Sequence, residues 1–289
     1  MAGSWARRLW SLLEPVHDVT YFAAAARRHA DRLGLAGFWA QYVVQRAAPM
    51  GAVNAHLATA AFYGFHHDRL AQTLPAAWSV TSPAQALEAR LAGAGAALTE
   101  IWGEDVVVSD RVVRAADLAW EAAMAADCAG RVLGASNQAL QRPSRAHLAL
   151  WQAATPLREH RDDGHIAVLV AEAVRPIESH LIKVAATEAD AESLRLGRKF
   201  SVDAWQGGVE GLRARGVLDP DARLTAVGKG LHERIEDATD EAAEQPWGTL
   251  GEAGCAELVD LLAALATAVF DAGILPMPSP VGLVAEDRR

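Results

Sequence analysis

Apolar residues recur at three- and four-residue intervals along most of this chain, and that spacing restricts it to helices packed on helices. Alanine and leucine, which cost little in a helix, supply much of the pattern. The spacing predicts helices over residues 21–33, 38–44, 53–65, 70–78, 84–98, 147–157, 166–174, 178–185, 204–213 and 258–270. Ser82-Pro83-Ala84-Gln85 is a helix start: an N-cap serine, proline at the first helical position and glutamine at the third. Two stretches read as extended: 105–109, with three valines, and 216–225, where a Pro/Asp turn separates two apolar pairs. The expected class is mostly α with small β-elements.

Proline and small polar residues interrupt the pattern near Gln141-Arg142-Pro143-Ser144 and suggest two units, 1–140 and 141–289. Most of the net charge of −9 falls in the second. An acidic chain lacks the overall attraction to phosphate of a strongly basic nucleic-acid binder. A hydrophobic fraction of 51% excludes disorder. Cys128 and Cys255 cannot make a disulfide framework and fit a reducing cytoplasm. The apolar run at 261–270 is too short to span a bilayer, and no secretory leader is evident. The C-terminal tail, 276–280 and then 285–289, reads as a loose end. Residues 38–60 and 151–173 align without a gap, pairing Phe38 with Trp151 and Gly51 with Gly164, which raises the expectation of a degenerate duplication.

Residues 203–240 carry the most specific pattern. Trp205, Val209 and Leu212 form a helix face; Arg215-Gly216 ends it. Val217-Leu218 and Arg223-Leu224-Thr225 pair around Asp219–Ala222, and Thr225 caps a helix through Leu231 and Ile235. Helix, Arg-Gly, short hairpin, L-T-x-x-G, helix resembles the winged helix of MarR-like regulators. Over nearly its whole length the chain also resembles an actinobacterial family labelled as helix-turn-helix proteins. The carrying stretches are L-E-P-V-H-D-V-T-Y-F from Leu13, R-A-A-P-M-G from Arg46, L-W-Q-A-A-T-P-L-R-E-H-R-D-D-G-H from Leu150, Arg223–Gly228 and 235–247. That resemblance implies a winged helix and no particular activity; the gapless alignment of 38–60 with 151–173 is what raises a degenerate relative of that unit in the N-terminal half.

Candidate DNA contacts follow from the winged-helix layout. Gln206 is the base-edge donor and acceptor on the expected recognition helix, Arg213 lies near its end and Arg223 on the wing. Arg195, Arg198 and Lys199 form a basic patch before it. The recognition helix also carries Asp203 and Glu210.

The densest polar run is Arg158-Glu159-His160-Arg161-Asp162-Asp163-Gly164-His165, expected as a turn whose aspartates cap the helix beginning at His165. If this turn and Arg46 converge, Arg46, Arg158 and Arg161 would hold an anion beside Trp39, Tyr42 and Trp151. His160 and His165 suit proton transfer near neutral pH. The leading expectation is therefore a winged-helix protein that binds a small anionic or aromatic molecule and couples this to DNA. The alternatives are an enzyme using the same pocket, with His160 or His165 as acid and base, and a protein that only sequesters its ligand. His160, Asp162 and His165 match no metal-ligand spacing, so no metal or cofactor is expected. His66-His67 reads as a surface pair and His17-Asp18 as a helix cap. No G-x-S-x-G, P-loop, dinucleotide fingerprint or H-E-x-x-H is present, and the sequence sets no oligomeric state.

Overall fold

One helix of 26 residues, α10 (Ala146–Ala171), runs through the middle of the computed structural model and organises the rest. The structure describes residues 4–187, 189–277, 279 and 283. Among the described residues, nine α-helices precede α10: α1 (Trp5–Phe22), α2 (Ala24–Asp31), α3 (Gly37–Ala47), α4 (Ala55–Phe62), α5 (His67–Ala71), α6 (Pro83–Trp102), α7 (Glu104–Val107), α8 (Asp110–Ala125) and α9 (Val132–Gln138). After it come α11 (Pro176–Thr187), α12 (Ala191–Arg198), α13 (Val202–Ala214), α14 (Ala226–Ala242) and α15 (Gly251–Asp271).

Three apolar clusters result. The largest joins α1, α6, α8, α10 and α15 around Leu9, Leu98, Leu150, Trp151 and Leu262. A second, under α3, α4 and α5, holds Val43, Phe62 and Leu70. The third gathers the end of α10 with α11, α13 and α14 through Leu169, Ile182, Leu212 and Ile235. Each cluster buries one stripe of its helices, which is where most helical stability originates. The loop at 139–145 leads from α9 into α10, and α10 then packs against α1, α8, α9 and α14. Apart from its buried face, α15 has the length and apolarity of a membrane span, more than the 261–270 run suggested. Its Cys255, Leu258, Leu262 and Val269 nonetheless lie in the core.

Local signals hold at both predicted helix starts. Ser82 and Gln85 form a reciprocal capping box on α6. Thr225 caps α14 by accepting the Gly228 N–H at 3.1 Å. Several expectations are corrected. The 105–109 stretch is not extended: residues 104–107 form α7, because Gly103 (φ 85°) ends α6 and the acidic pair opens a new turn. The hairpin at 216–225 shrinks to one antiparallel bridge, Leu218 with Leu224, and the described residues contain no strand. The chain is too short there to extend the ladder before Thr225 begins α14. Residues 158–165 are not a loop but part of the continuous helix α10, just over two of its windings at about 3.6 residues each. Long charged residues keep helical backbone when partners lie across the interface, and here they do. The aligned segments 38–60 and 151–173 accordingly differ, the first breaking after α3 through a 3-10 turn at Ala48–Met50 and Gly51 (φ 83°), the second staying helical to Ala171.

His17 and Asp18 lie inside α1 and are buried, not capping; His17 Nδ1 meets Thr155 Oγ1 at 3.1 Å. His66 caps α5, and His67 stacks on His56 with centroids 4.4 Å apart. The tail expectation falls mostly on residues 278, 280–282 and 284–289, outside the described residues.

Candidate functional site

The helical course of 158–165 sorts its side chains by face. Arg158, Arg161, Asp162, His165, Ile166 and Leu169 recur at three and four residues and line one cavity of about 330 Å³. His160 and Asp163 turn the other way, toward α9. There His160 Nε2 lies 3.1 Å from the Asp127 carbonyl, and Asp163 accepts the Gly134 N–H at 2.8 Å. Gly134 permits this approach: a Cβ there would stand 3.2 Å from the His160 Cα.

The cavity wall is shared by both halves of the chain. α1 supplies Arg7, Trp10 and Glu14; α3 supplies Tyr42 and Arg46; the α4–α5 connection supplies Phe62, Tyr63 and Phe65. From the other side come His180 and Lys183 of α11, Arg198 of α12, and His232 and Glu236 of α14. Arg46 and the Arg158–His165 stretch therefore do meet, across α10. Arg46 grips Glu159 with Nε at 3.2 Å and Nη2 at 3.0 Å, and its Nη2 also reaches Asp162 at 2.6 Å. Arg158 bonds Glu14 at 3.1 Å and Glu159 at 2.9 Å. Arg161 pairs with Asp240 at 2.6 Å, and Arg7 with Glu236 at 2.8 Å.

Burial and charge set the protonation states. Burial alone would push the Asp162 carboxyl up, but Arg158 and Arg46 hold it well below the usual range. Burial lowers the His165 imidazole, and Lys183 adds to this; Nδ1 of His165 lies 2.9 Å from Thr239 Oγ1. Burial also lowers Lys183 and Arg198, each further depressed by the neighbouring cations. Asp163, on the far face, is pushed up to about 7, mainly by burial. His160 is pushed down to about 4 by burial and Arg131. A lowered imidazole of this kind, held against a backbone carbonyl, is neutral at physiological pH.

His180 gives a pH prediction. Its Nε2–H donates to the Gly64 carbonyl at 2.6 Å, and burial, then Arg198, push it down to about 3. Above pH ~6.5 both folded and unfolded forms are neutral, and the contact's stability is fully present. Below that the unfolded state binds a proton that the folded state refuses, so stability falls by about 1.4 kcal/mol per pH unit from this residue. His180→Gln keeps the donor and removes the titration. Urea unfolding at pH 7.5, 6 and 5 should show the variant losing less stability than the parent on acidification; parallel curves would refute the assignment.

The other expected site residues are distributed as follows. Trp39 and Trp151 do not line the cavity. Trp151 is fully buried in the largest core, donating to Thr20 Oγ1 at 2.8 Å. Trp39 packs on Phe65 and stacks under the Arg69 guanidinium. The histidines separate: His165 is on the wall and His160 is behind it. Of the expected DNA contacts, Arg198 faces the cavity. Arg195 is tied to Glu192 at 2.7 Å and to the Phe200 carbonyl at 3.0 Å. Arg213 holds the backbone of the 217–224 connection at the Asp219 and Pro220 carbonyls. Lys199 is the left-handed C-cap of α12 (φ 64°). Gln206 is exposed on α13, bonded to Glu210 at 3.2 Å, and Arg223 is exposed in the connection before α14. Sequence reasoning missed Arg7, Trp10, Glu14, Phe65, His180 and Lys183 as wall residues. Glu14 is in the quoted L-E-P-V-H-D stretch, but nothing local says that it turns toward Arg158.

α12, a short turn and α13 follow one another with α11 packed against both, and α13 keeps one face, with Asp203, Gln206 and Glu210, exposed. Residues 6–276 match the model of a helix-turn-helix family, and the chain belongs to that family. No curated protein and no solved structure matches it. Helix-turn-helix units dock a helix in the DNA major groove, so membership points to a DNA-binding, regulatory class of protein.

Proposed function

We propose that this is a ligand-responsive, MarR-like winged-helix regulator that binds a small anionic or aromatic molecule between a helical unit, 1–140, and the helix-turn-helix half, 141–289. One observation carries the reading: the cavity wall is completed by Arg198, the last residue of the first helix of the DNA-reading pair, opposite Arg46 and Arg158. A ligand touching both sides would bias where α12 and α13 sit, which is what a ligand must do to shift a conformational equilibrium.

The volume of about 330 Å³ falls at the small end of ordinary ligand sites. Aromatic residues from α1, α3 and the α4–α5 connection give it flat apolar walls. The DNA-facing surface is modest. Asp203 and Glu210 are exposed on α13, while Arg223 and Lys229 are exposed near the wing. Phosphate contacts would then be few.

Selection of duplexes from a random DNA library by the full chain tests the regulator. The expected outcome is an enriched sequence whose affinity falls with salt at a slope of about −2 to −4, reflecting two to four phosphate contacts. Arg223→Ala should reduce that slope by about one. Failure to enrich any sequence at 50 mM salt would overturn DNA binding.

A further inference from the structure

We propose that the α4–α5 connection is a strap that holds the helix-turn-helix pair against the N-terminal unit, in a closed position that withholds Arg198 from DNA phosphate. The inference rests on the reading of the pair as DNA-binding and adds the contact that restrains it.

From residues 63–69 the strap reaches several parts of the helix-turn-helix half. Tyr63 donates its hydroxyl to the Val174 carbonyl, in the connection before α11. The Gly64 carbonyl accepts from His180 of α11 at 2.6 Å. The His66 N–H meets the Arg198 carbonyl at 3.0 Å, and Arg69 donates to the Gly197 and Leu196 carbonyls at 3.0 and 2.7 Å. The last carbonyls of a helix have no partner inside it, so the end of α12 is capped by the other half of the chain. Trp39 closes over the same place. Arg69 Cζ lies 4.8 Å from its ring centroid, and a Cβ at Gly197 would stand 2.9 Å from its Cζ2.

Strain and packing make this a latch and not a shared core. Tyr63 (φ 47°, ψ −66°) is the centre of a tight turn closed by the Gly64 N–H on the Phe62 carbonyl, a form that residues with side chains rarely adopt. The bonds to the other half hold the turn there, and breaking them lets it relax. The helix-turn-helix half also has its own apolar cluster, which includes Leu169, Ile182, Leu212 and Ile235. Among the described residues before α10, only Tyr63 joins that cluster, at its edge. The unit therefore keeps its core when the strap opens and moves as a body.

What the closed position conceals is charge. The Arg198 guanidinium lies 4.1 Å from the Phe65 ring centroid, its Nε is buried without a hydrogen-bond partner, and it forms no ion pair among the described residues. The exposed face of α13 offers Asp203 and Glu210 in its place. In a docked helix-turn-helix the first helix crosses the DNA backbone, so the end of α12 lies where phosphates pass. Release of the strap turns Arg198 from an unsatisfied buried cation into a phosphate contact. Closed molecules bind weakly, because apparent affinity scales with the fraction in the competent form.

Two variants of the full chain test this. Arg69→Met removes the cap and Gly197→Ala crowds Trp39 from the other side; neither residue lines the cavity. In amide exchange, both should speed His66, Lys199 and Phe200 by about tenfold or more, the worth of a charged hydrogen bond. The amides of α6 and of the first half of α10 should not change. Both variants should bind the duplex selected by the parent about tenfold tighter, with a salt slope steeper by about one as Arg198 joins. Loss of a cation by itself weakens DNA binding, so a gain in Arg69→Met reports release. Adding Arg198→Met should abolish the extra slope. Exchange that is unchanged at those amides, or faster by one factor throughout the chain, overturns the strap. Local release with duplex affinity equal to or weaker than the parent's overturns the closed form and leaves DNA binding standing. If the parent selects no duplex, the DNA reading falls, and the restraint on it falls too.

Discussion

Replacing Glu159 by glutamine is expected to lower the unfolding free energy by about 3–5 kcal/mol, the cost of stripping one partner from a buried ion pair. The carboxylate is 1% exposed and lies between two arginines. It accepts from Arg46 at 3.2 and 3.0 Å and from Arg158 at 2.9 Å. Glutamine preserves the shape but carries no charge, and one of its ends now presents N–H groups to a guanidinium. Arg46 and Arg158 would then share Asp162, which is less buried, while their mutual repulsion is no longer screened by a carboxylate between them. Both arginines form cavity wall, so the damage would extend to the site. Equilibrium urea unfolding measures the effect. A loss below about 1 kcal/mol would place the pair with ordinary surface salt bridges and refute the account.

The second large effect is expected at Gly228, in the first turn of α14. A Cβ there would stand 2.2 Å from the Val217 carbonyl oxygen. That oxygen belongs to backbone and accepts the Thr225 N–H at 3.1 Å, so it cannot move aside cheaply. Gly228→Ala should cost about 3 kcal/mol through overpacking. The disturbance should concentrate in the cluster of Leu212, Val217, Leu231 and Ile235 that seats α13. Gly230 is the control. It lies in the same helix, where the nearest atom to an added Cβ is the flexible Arg234 Nη1 at 3.7 Å. Gly230→Ala should be neutral or stabilise by up to about 1 kcal/mol, because alanine loses less backbone entropy in a helix. Amide exchange across α13 and α14 distinguishes the two variants. Equal stability of both would show that the glycine of the L-T-x-x-G stretch is not required by the approach of the Val217 backbone.

What was legible locally can be stated residue by residue. Ser82, Thr225 and the glycine after Arg215 marked helix boundaries because a cap is decided by atoms within four residues. The helical course of 158–165 is not legible locally because its partners lie far away: Glu14 is 144 residues from Arg158, and Arg46 is 113 from Glu159. With those partners unseen, eight polar residues containing a glycine look like a turn. The expected meeting of Arg46 with that stretch does occur, though through a continuous α10 and not through two matching turns. Arg198 had only its basic neighbours to define it, and these pointed toward phosphate. Its direction depends on Phe65 and Trp39, which no local pattern connects to it.

By itself the sequence determined a helical chain, the starts of its better-capped helices, and a helix–turn–helix order near residues 203–240, since these follow from periodicity and short-range hydrogen bonds. Only the tertiary structure decided which face of α10 meets which half, which arginines are neutralised and which one is left to face the cavity. Ion pairing and enclosure depend on distances between segments far apart in sequence, and burial converts those distances into energies that no local window contains.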